Sequence, residues 1–121
     1  MDILDSRYRD YRFTLPDVIA DNASSGRVVL ASRPADLVDL RLVGCLLRAG
    51  GTVAATAARA VMGHPAVAVA WLANCLGPRG ERLRAGWLVL SGGLTAPVPL
   101  EPGQAVTAEL DWLGSVEVHT R

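Results

Sequence analysis

Hydrogen-bonding side chains are concentrated in one short segment near the start of the chain, "DNASSG" at residues 21–26. The segment offers a carboxylate, an amide and two hydroxyl groups, on Asp21, Asn22, Ser24 and Ser25. Such groups can line a ligand site. The same residue types also end helices by bonding to their own backbone, which is the more common outcome. The segment is therefore either a loop or a binding site.

A second candidate binding segment is "SGGLT" at residues 91–95. Glycine lets a ligand approach the backbone closely, so the amides around Gly92 and Gly93 could bind a carboxylate or enolate oxygen. Thr95 adds a hydroxyl donor. Because double glycines at strand ends are more often turns, a turn and a binding site both stay open.

Carboxylates that could contribute to a metal site recur in the first part of the chain, at Asp2, Asp5, Asp10, Asp17 and Asp21. Mg²⁺ prefers such oxygen ligands. The alternative, which the sequence favours, is that these aspartates pair with the neighbouring arginines on a solvated surface.

The composition limits the classes of partner. A chain of 121 residues is long enough for one domain with a single core. Its twelve basic and twelve acidic residues cancel and are scattered, which argues against a nucleic acid or a membrane surface as partner. Every basic residue is arginine, so this chain cannot form a lysine Schiff base. No apolar run is long enough to span a bilayer and no signal peptide is evident, so we expect a cytoplasmic protein.

The first third of the chain predicts short strands and one short helix. Residues 2–13 mix hydrophobic residues with arginines, which favours an extended strand and turn. Residues 16–20 are predicted to form a helix that opens with a proline and has Thr14 as its candidate cap. Residues 27–31 are strand-like, and Pro34 marks a turn.

The middle of the chain predicts a hairpin followed by a helix. Two apolar runs within residues 40–56 flank Gly50 and Gly51, the arrangement of a turn that needs positive φ. A helix near 65–76 opens with a proline and ends before a Gly-Pro pair. His64, directly before it, is either its cap or a proton carrier. The two cysteines, Cys45 and Cys75, are expected to be buried free thiols.

The last third of the chain predicts further strands. Residues 86–100 are expected to form a buried strand that is broken at the double glycine, and residues 101–121 to form two alternating strands joined near 112–114. The predicted fold class is therefore β-rich α/β (α+β), a mixed sheet or β-roll with one prominent helix near 65–76.

Four blocks of the sequence carry a resemblance to a known family: "DILDSRYRDYRFTLPDVIADNASSGRVVL", "VAATAARAVMGHPAVAVAWLANCLG", "LRAGWLVLSGGLTAPVPLEPG" and "LGSVEV". In this order they resemble the C-terminal half of the 2-keto-4-pentenoate hydratase and 4-oxalocrotonate decarboxylase family, relatives of fumarylacetoacetate hydrolase. The resemblance implies that residues 1–121 form a single, partial domain of that fold. "SGGLT" is nearer to the decarboxylase branch.

The resemblance also implies a chemistry. Family members are Mg²⁺ or Mn²⁺ enzymes of aromatic meta-cleavage catabolism, in which the metal chelates a 2-oxo acid and stabilises an enolate before carbon dioxide leaves or water adds. By this resemblance Asp2 is a metal ligand. The residues that bind the substrate are Asn22, Ser24, Ser25, Gly92, Gly93 and Thr95.

The sequence departs from the family pattern at the metal site. The Glu-x-Glu pair that supplies two ligands in the family is missing here, as is the family lysine, and the third ligand is Asp2 instead of a glutamate. A single carboxylate does not hold Mg²⁺ tightly. The alternatives are an enzyme half that needs a complementary chain, a metal-free homologue that binds or was recruited for another reaction, and a remnant without function. Because half of the residues are apolar, we expect association as a homo-oligomer or with a complementary chain.

Overall fold

The computed structural model describes residues 1–31 and 39–121, with the side chain of Arg59 excepted. Within this part the elements are β1 (Asp2–Leu4), α1 (Leu15–Ala20), β2 (Ser25–Val28), β3 (Gly44–Ala49), β4 (Thr52–Ala57), α2 (Pro65–Leu76), β5 (Ala105–Leu110) and β6 (Gly114–His119). The predicted fold class, β-rich with one prominent helix near 65–76, is confirmed. The turn predicted at Pro34 lies outside the described residues.

Two antiparallel sheets organise these strands. The larger one has the order β4-β3-β5-β6, and the smaller one pairs β1 with β2. The hairpin predicted at the double glycine is confirmed, because Gly50 and Gly51 join β3 to β4 with φ angles of 50° and 83°. Both glycines thus occupy the left-handed region, which two-residue hairpin turns of this type require.

The core of the described part is small. Its buried hydrophobic residues are Val43, Ala49, Ala58, Val106 and Ala108. Each of the three tryptophans, by contrast, leaves more than half of its surface exposed: Trp71 (59%), Trp87 (58%) and Trp112 (72%). The described residues therefore leave much apolar surface in contact with solvent.

The main helix, α2, begins and ends as the sequence predicts. Pro65 occupies the first turn, where a missing N–H costs nothing, and Nδ1 of His64 accepts a hydrogen bond from the backbone N–H of Ala66 at 3.0 Å. The helix ends at Leu76, before Gly77. Of the two alternatives for His64, the cap is therefore the one that the structure supports.

The prediction of a buried strand at residues 86–100 is wrong. This segment is irregular, and four of its large apolar side chains are exposed: Trp87, Leu88, Leu90 and Leu100. Pro97 and Pro99 lack the N–H groups that a central strand needs, and Gly92 takes a φ of 104°. Apolar composition alone was therefore a poor guide here.

The predictions for the start of the chain are partly wrong as well. The strand predicted over residues 2–13 is confined to β1, because Asp10 and Tyr11 adopt left-handed φ angles of 56° and 54° in a 3₁₀ turn. The strand predicted at 27–31 begins earlier, as β2. The short helix is confirmed as α1, and the two strands predicted at the end of the chain are confirmed as β5 and β6.

The cysteines are both free thiols, but they are half-buried instead of fully buried. Burial raises the pKa of the Cys45 thiol. Among the described residues, no helix combines the length and the apolar character needed to cross a membrane.

Candidate functional site

The segment "DNASS" leads from the end of α1 into β2, and α1 is stabilised at its first turn. Thr14 and Asp17 form a capping box, in which the Asp17 carboxylate accepts hydrogen bonds from the backbone N–H of Thr14 at 2.8 Å and from its hydroxyl at 2.7 Å. These bonds hold the pKa of Asp17 below its usual value. The helix ends at Ala20, so Asp21 stands at the entrance to the loop.

The backbone of this loop is strained. Asn22, Ala23 and Ser24 take φ angles of 51°, 54° and 58° in succession. The left-handed region costs an L-residue about 1–2 kcal/mol, and asparagine tolerates it better than most residues. Ala23 has no side-chain group that could compensate. Such a conformation persists only where the surrounding structure imposes it.

The surrounding structure is a set of hydrogen bonds to one buried carboxylate, which we name the Asp21 cluster: Ser6, Arg7, Asp21 and Ser24. Asp21 is 5% exposed. Its Oδ2 accepts hydrogen bonds from the Ser24 hydroxyl at 3.0 Å, the Ser6 hydroxyl at 3.2 Å and the Arg7 backbone N–H at 3.3 Å. The Arg7 guanidinium forms an ion pair with Oδ1 and donates to the Asp21 carbonyl oxygen. The cluster thus satisfies a buried charge from several sides.

The cluster also sets the charge state of the carboxyl group. Burial by itself raises the pKa of Asp21, but the hydrogen bonds from Ser24 and Arg7 and the positive charge of Arg7 outweigh it. The pKa therefore lies below its usual value and the group stays ionised at neutral pH.

Ser25 and Asp2 lie side by side on the outer face of the small sheet. The Ser25 hydroxyl donates to Oδ1 of Asp2 at 3.1 Å. A bulge in the pairing of β1 with β2 lies beside this contact. The register advances one residue on β1 and two on β2, which leaves Gly26 as a bulge. A Cβ at Gly26 would lie 2.7 Å from Cβ of Asp5, so only glycine fits this crossing.

The described residues do not form a magnesium site on their own. No group of three or more His, Cys, Asp or Glu side chains within them could hold a metal ion. At the predicted position the donors are the Asp2 carboxylate and the Ser25 hydroxyl, whereas Mg²⁺ takes six oxygen ligands. Of the other aspartates in the early series, Asp17 and Asp21 are committed to the capping box and to the Asp21 cluster.

The second predicted segment is "SGGLT". In the described part of the chain, no hydrogen bond joins Gly92, Gly93 or Thr95 to the loop at residues 21–25. A Cβ at Gly93 would lie 3.1 Å from the Thr95 carbonyl oxygen, so this turn is tight. An apolar cavity of about 300 Å³ lies next to it, between α2 and residues 89–91.

The structure thus brings Asp2 and Ser25 into contact and places Asn22 and Ser24 in the adjoining loop. Asn22 is exposed, but Ser24 is 4% exposed and its hydroxyl faces Asp21. Ser6 and Arg7 were not predicted as partners of this loop, although pairing of the early aspartates with neighbouring arginines was one alternative. The signal that could have found them is the "DSR" triplet after β1.

Comparisons with known proteins identify relatives over nearly the whole chain. A 4-oxalocrotonate decarboxylase of Pseudomonas putida is 44% identical over 119 residues, which are 96% of this chain and 45% of the relative. A 2-keto-4-pentenoate hydratase of Paraburkholderia xenovorans (strain LB400) is 43% identical over 96% of this chain and 44% of its own length. By these figures the chain spans about half the length of the curated relatives it matches. No family model matches.

Two solved structures agree with the fold. The 4-oxalocrotonate decarboxylase from Pseudomonas putida G7 complexed with magnesium and adipate matches with a TM-score of 0.91 and 43% identity. The match covers 99% of this chain and 47% of the decarboxylase chain. The same enzyme complexed with calcium and acetate matches with a TM-score of 0.86 and 44% identity, over 99% of this chain and 46% of the decarboxylase chain. The predicted resemblance to the 4-oxalocrotonate decarboxylase and 2-keto-4-pentenoate hydratase family is confirmed.

Proposed function

We propose that this chain, as a relative of the 4-oxalocrotonate decarboxylases and 2-keto-4-pentenoate hydratases, forms part of the substrate site of a lyase. The reaction is metal-dependent decarboxylation or hydration of a 2-oxo-enoic acid, in aromatic meta-cleavage catabolism. The observation that carries the proposal is the contact of Asp2 with Ser25 beside a conformationally fixed loop, in a chain 44% identical to a decarboxylase. Because the chain spans 45% of that relative, the proposal concerns one part of the site.

The substrate would bind through hydrogen-bond donors of the loop. The Asn22 amide is exposed and can donate to a carboxylate or 2-oxo oxygen. The Ser25 hydroxyl is half-buried and can do the same when it gives up its hydrogen bond to Asp2. In decarboxylation the bond to the departing carboxylate breaks, and its electron pair passes through the conjugated chain to the 2-oxo oxygen. Donors that already face this oxygen stabilise the negative charge that develops there. Gly92, Gly93 and Thr95 would contact the far end of the substrate.

Ser24 has a different environment within the same loop. Both serine hydroxyls donate to a carboxylate, but Ser24 is 4% exposed whereas Ser25 is half-buried, so a substrate can reach Ser25 more readily. We therefore expect Ser25 to contribute more to binding than Ser24.

A metal at this site would need ligands from elsewhere. Mg²⁺ or Mn²⁺, when bound, would polarise the 2-oxo group, with Asp2 as the ligand from this chain. Since Asp2 is one carboxylate and no larger set surrounds it in the described residues, the other ligands would come from a complementary chain or a second copy. The exposed tryptophans favour such association, because large apolar patches usually mark interaction surfaces.

A second candidate function is binding of a 2-oxo acid without metal or catalysis. The incomplete ligand set around Asp2 favours it. It shares the loop donors with the first proposal and differs from it in needing no metal.

Calorimetric titration of oxalate, a mimic of the enolate, tests the shared part of both proposals. Loss of a hydrogen bond to a charged group costs about 1.5–3 kcal/mol, so Asn22→Ala and Ser25→Ala should each weaken oxalate binding about 10- to 100-fold. Asn74→Ala and Ser115→Ala are the matched controls, because both residues are exposed and lie outside the site. Equal affinity in all four variants would return "DNASS" to being a loop.

The same titration with Mg²⁺ separates the two candidates. If the metal takes part, Mg²⁺ should tighten oxalate binding in the wild type and have no effect in Asp2→Ala. Tight binding that ignores both Mg²⁺ and the Asp2 substitution would support the metal-free function. The molar mass from light scattering, run alongside, shows whether self-association accompanies binding; a single chain has a mass of 12.8 kDa.

A further inference from the structure

Both oxygens of the buried Asp21 carboxylate are bonded within the protein, so this group needs a role other than contact with a ligand. We infer that Asp21 and Arg7 form a positioning pair for the segment Asn22–Ser24. By fixing this segment, the pair sets where the Ser25 hydroxyl stands relative to Asp2. The inference rests on the proposed function, because it assigns roles to further residues of the same site.

The geometry of the Asp21 cluster supports this role. Its members come from three segments that meet at the Asp21 carboxylate: the residues after β1, the end of α1 and the loop before β2. Arg7 binds both the carboxylate and the carbonyl oxygen of Asp21, so the main chain is held at the point where the loop begins. Three different residues bond to this carboxylate, more than to any other carboxylate in the described residues.

The far end of the loop is fixed as well. The backbone N–H of Asp5 donates to the Ser24 carbonyl oxygen at 2.7 Å, directly before the bulge at Gly26. The left-handed residues are therefore held between the Asp21 cluster and Asp5, the residue that follows β1. Because Ser25 follows these residues immediately, its side-chain direction depends on the backbone conformation that these bonds impose.

The buried hydroxyl of Ser24 has a clear role in this arrangement. Ser24 supplies the cluster with the closest of the donors to Oδ2, at 3.0 Å, while Ser25 points to Asp2. The two neighbouring serines thus have different roles: Ser24 positions the loop, and Ser25 is the one available to a bound 2-oxo acid.

Asp21→Asn tests the inference, because it keeps the size of the side chain and removes its charge. We expect its oxalate affinity to fall at least tenfold, measured by calorimetry at a temperature where the variant is folded. Val43→Ala is the control for a loss of stability alone, since Val43 is fully buried in the core outside the site. It should lower the urea midpoint and leave the oxalate affinity within twofold of the wild type. Wild-type affinity in Asp21→Asn would overturn the inference.

A second readout follows the loop itself. The amide chemical shifts of Asn22 to Ser25 should change in Asp21→Asn and stay as in the wild type in Val43→Ala. If Asp21→Asn does not fold, Ser6→Ala and Ser24→Ala each remove a single donor to Oδ2 and should show the same changes on a smaller scale.

The two proposals fail in different ways. If the wild type does not bind oxalate, the proposed function is refuted and the shifts decide the inference: changed shifts in Asp21→Asn support positioning, and unchanged shifts overturn it. If the wild type binds oxalate and Asp21→Asn binds it equally well, only the positioning role is refuted.

Discussion

Replacement of Ala23 by glycine measures how strongly the loop is held in a strained conformation. Ala23 has a φ of 54° and an exposed side chain, so Ala23→Gly removes strain without removing packing. The relief is about 1–2 kcal/mol. Glycine also loosens the unfolded chain, which offsets about 0.5–1 kcal/mol of it. The net expectation is a variant that is about 0.5–1 kcal/mol more stable than the wild type.

Ala70→Gly is the matched control for this substitution. Ala70 is exposed as well, but it lies inside α2, where glycine costs about 0.5–1 kcal/mol relative to alanine. The same chemical change should therefore act in opposite directions at the two positions. Urea unfolding gives both free energies, and the difference between the variants should be about 1–2 kcal/mol. If Ala23→Gly destabilises the protein as much as Ala70→Gly does, the left-handed strain in this loop is refuted.

Two further predictions concern a turn and the response to acid. Gly50→Ala should destabilise the protein by about 1–2 kcal/mol, because φ at Gly50 is +50°. Gly77→Ala should instead stabilise it by about 0.4–1 kcal/mol, because Gly77 has a helical φ of −49° with open space around it; equal urea midpoints for the two variants would contradict this. The folded-state pKa of Asp21 lies below the usual 3.8, so its contribution to stability is present above pH 3.8 and is lost as pH falls through the lowered value. Asp21→Asn should accordingly flatten the decline of the urea midpoint on acidification, and a decline parallel to that of the wild type would show that Asp21 does not contribute to it.

The parts of the fold that were predictable from the sequence carry local signals. Gly50 and Gly51 mark the hairpin because its turn needs positive φ, and Pro65 and the Gly-Pro pair mark the ends of α2. In the segment 86–100, Pro97 and Pro99 oppose a central strand while the apolar residues favour one. Its apolar residues are compatible with a buried strand, but whether they pack depends on partners that the local sequence does not encode.

The candidate site shows the same limit. Its residue types and the family resemblance pointed to the loop at residues 21–25, and the structure places that loop beside Asp2. The different environments of Ser24, which bonds to Asp21, and Ser25, which bonds to Asp2, were not predictable, because both serines offer the same hydroxyl group. Asp21 is also bonded to Arg7, which lies 14 positions earlier and reaches it only in the folded chain.

The exposed indole rings make tryptophan fluorescence a probe for the binding of a partner. Trp71 lies on α2, Trp87 at the start of the irregular segment and Trp112 in the turn between β5 and β6. Indole fluorescence shifts to shorter wavelength when solvent is removed from the ring. Variants that keep one tryptophan each would therefore show, by the colour of their emission, which of these three surfaces a partner covers.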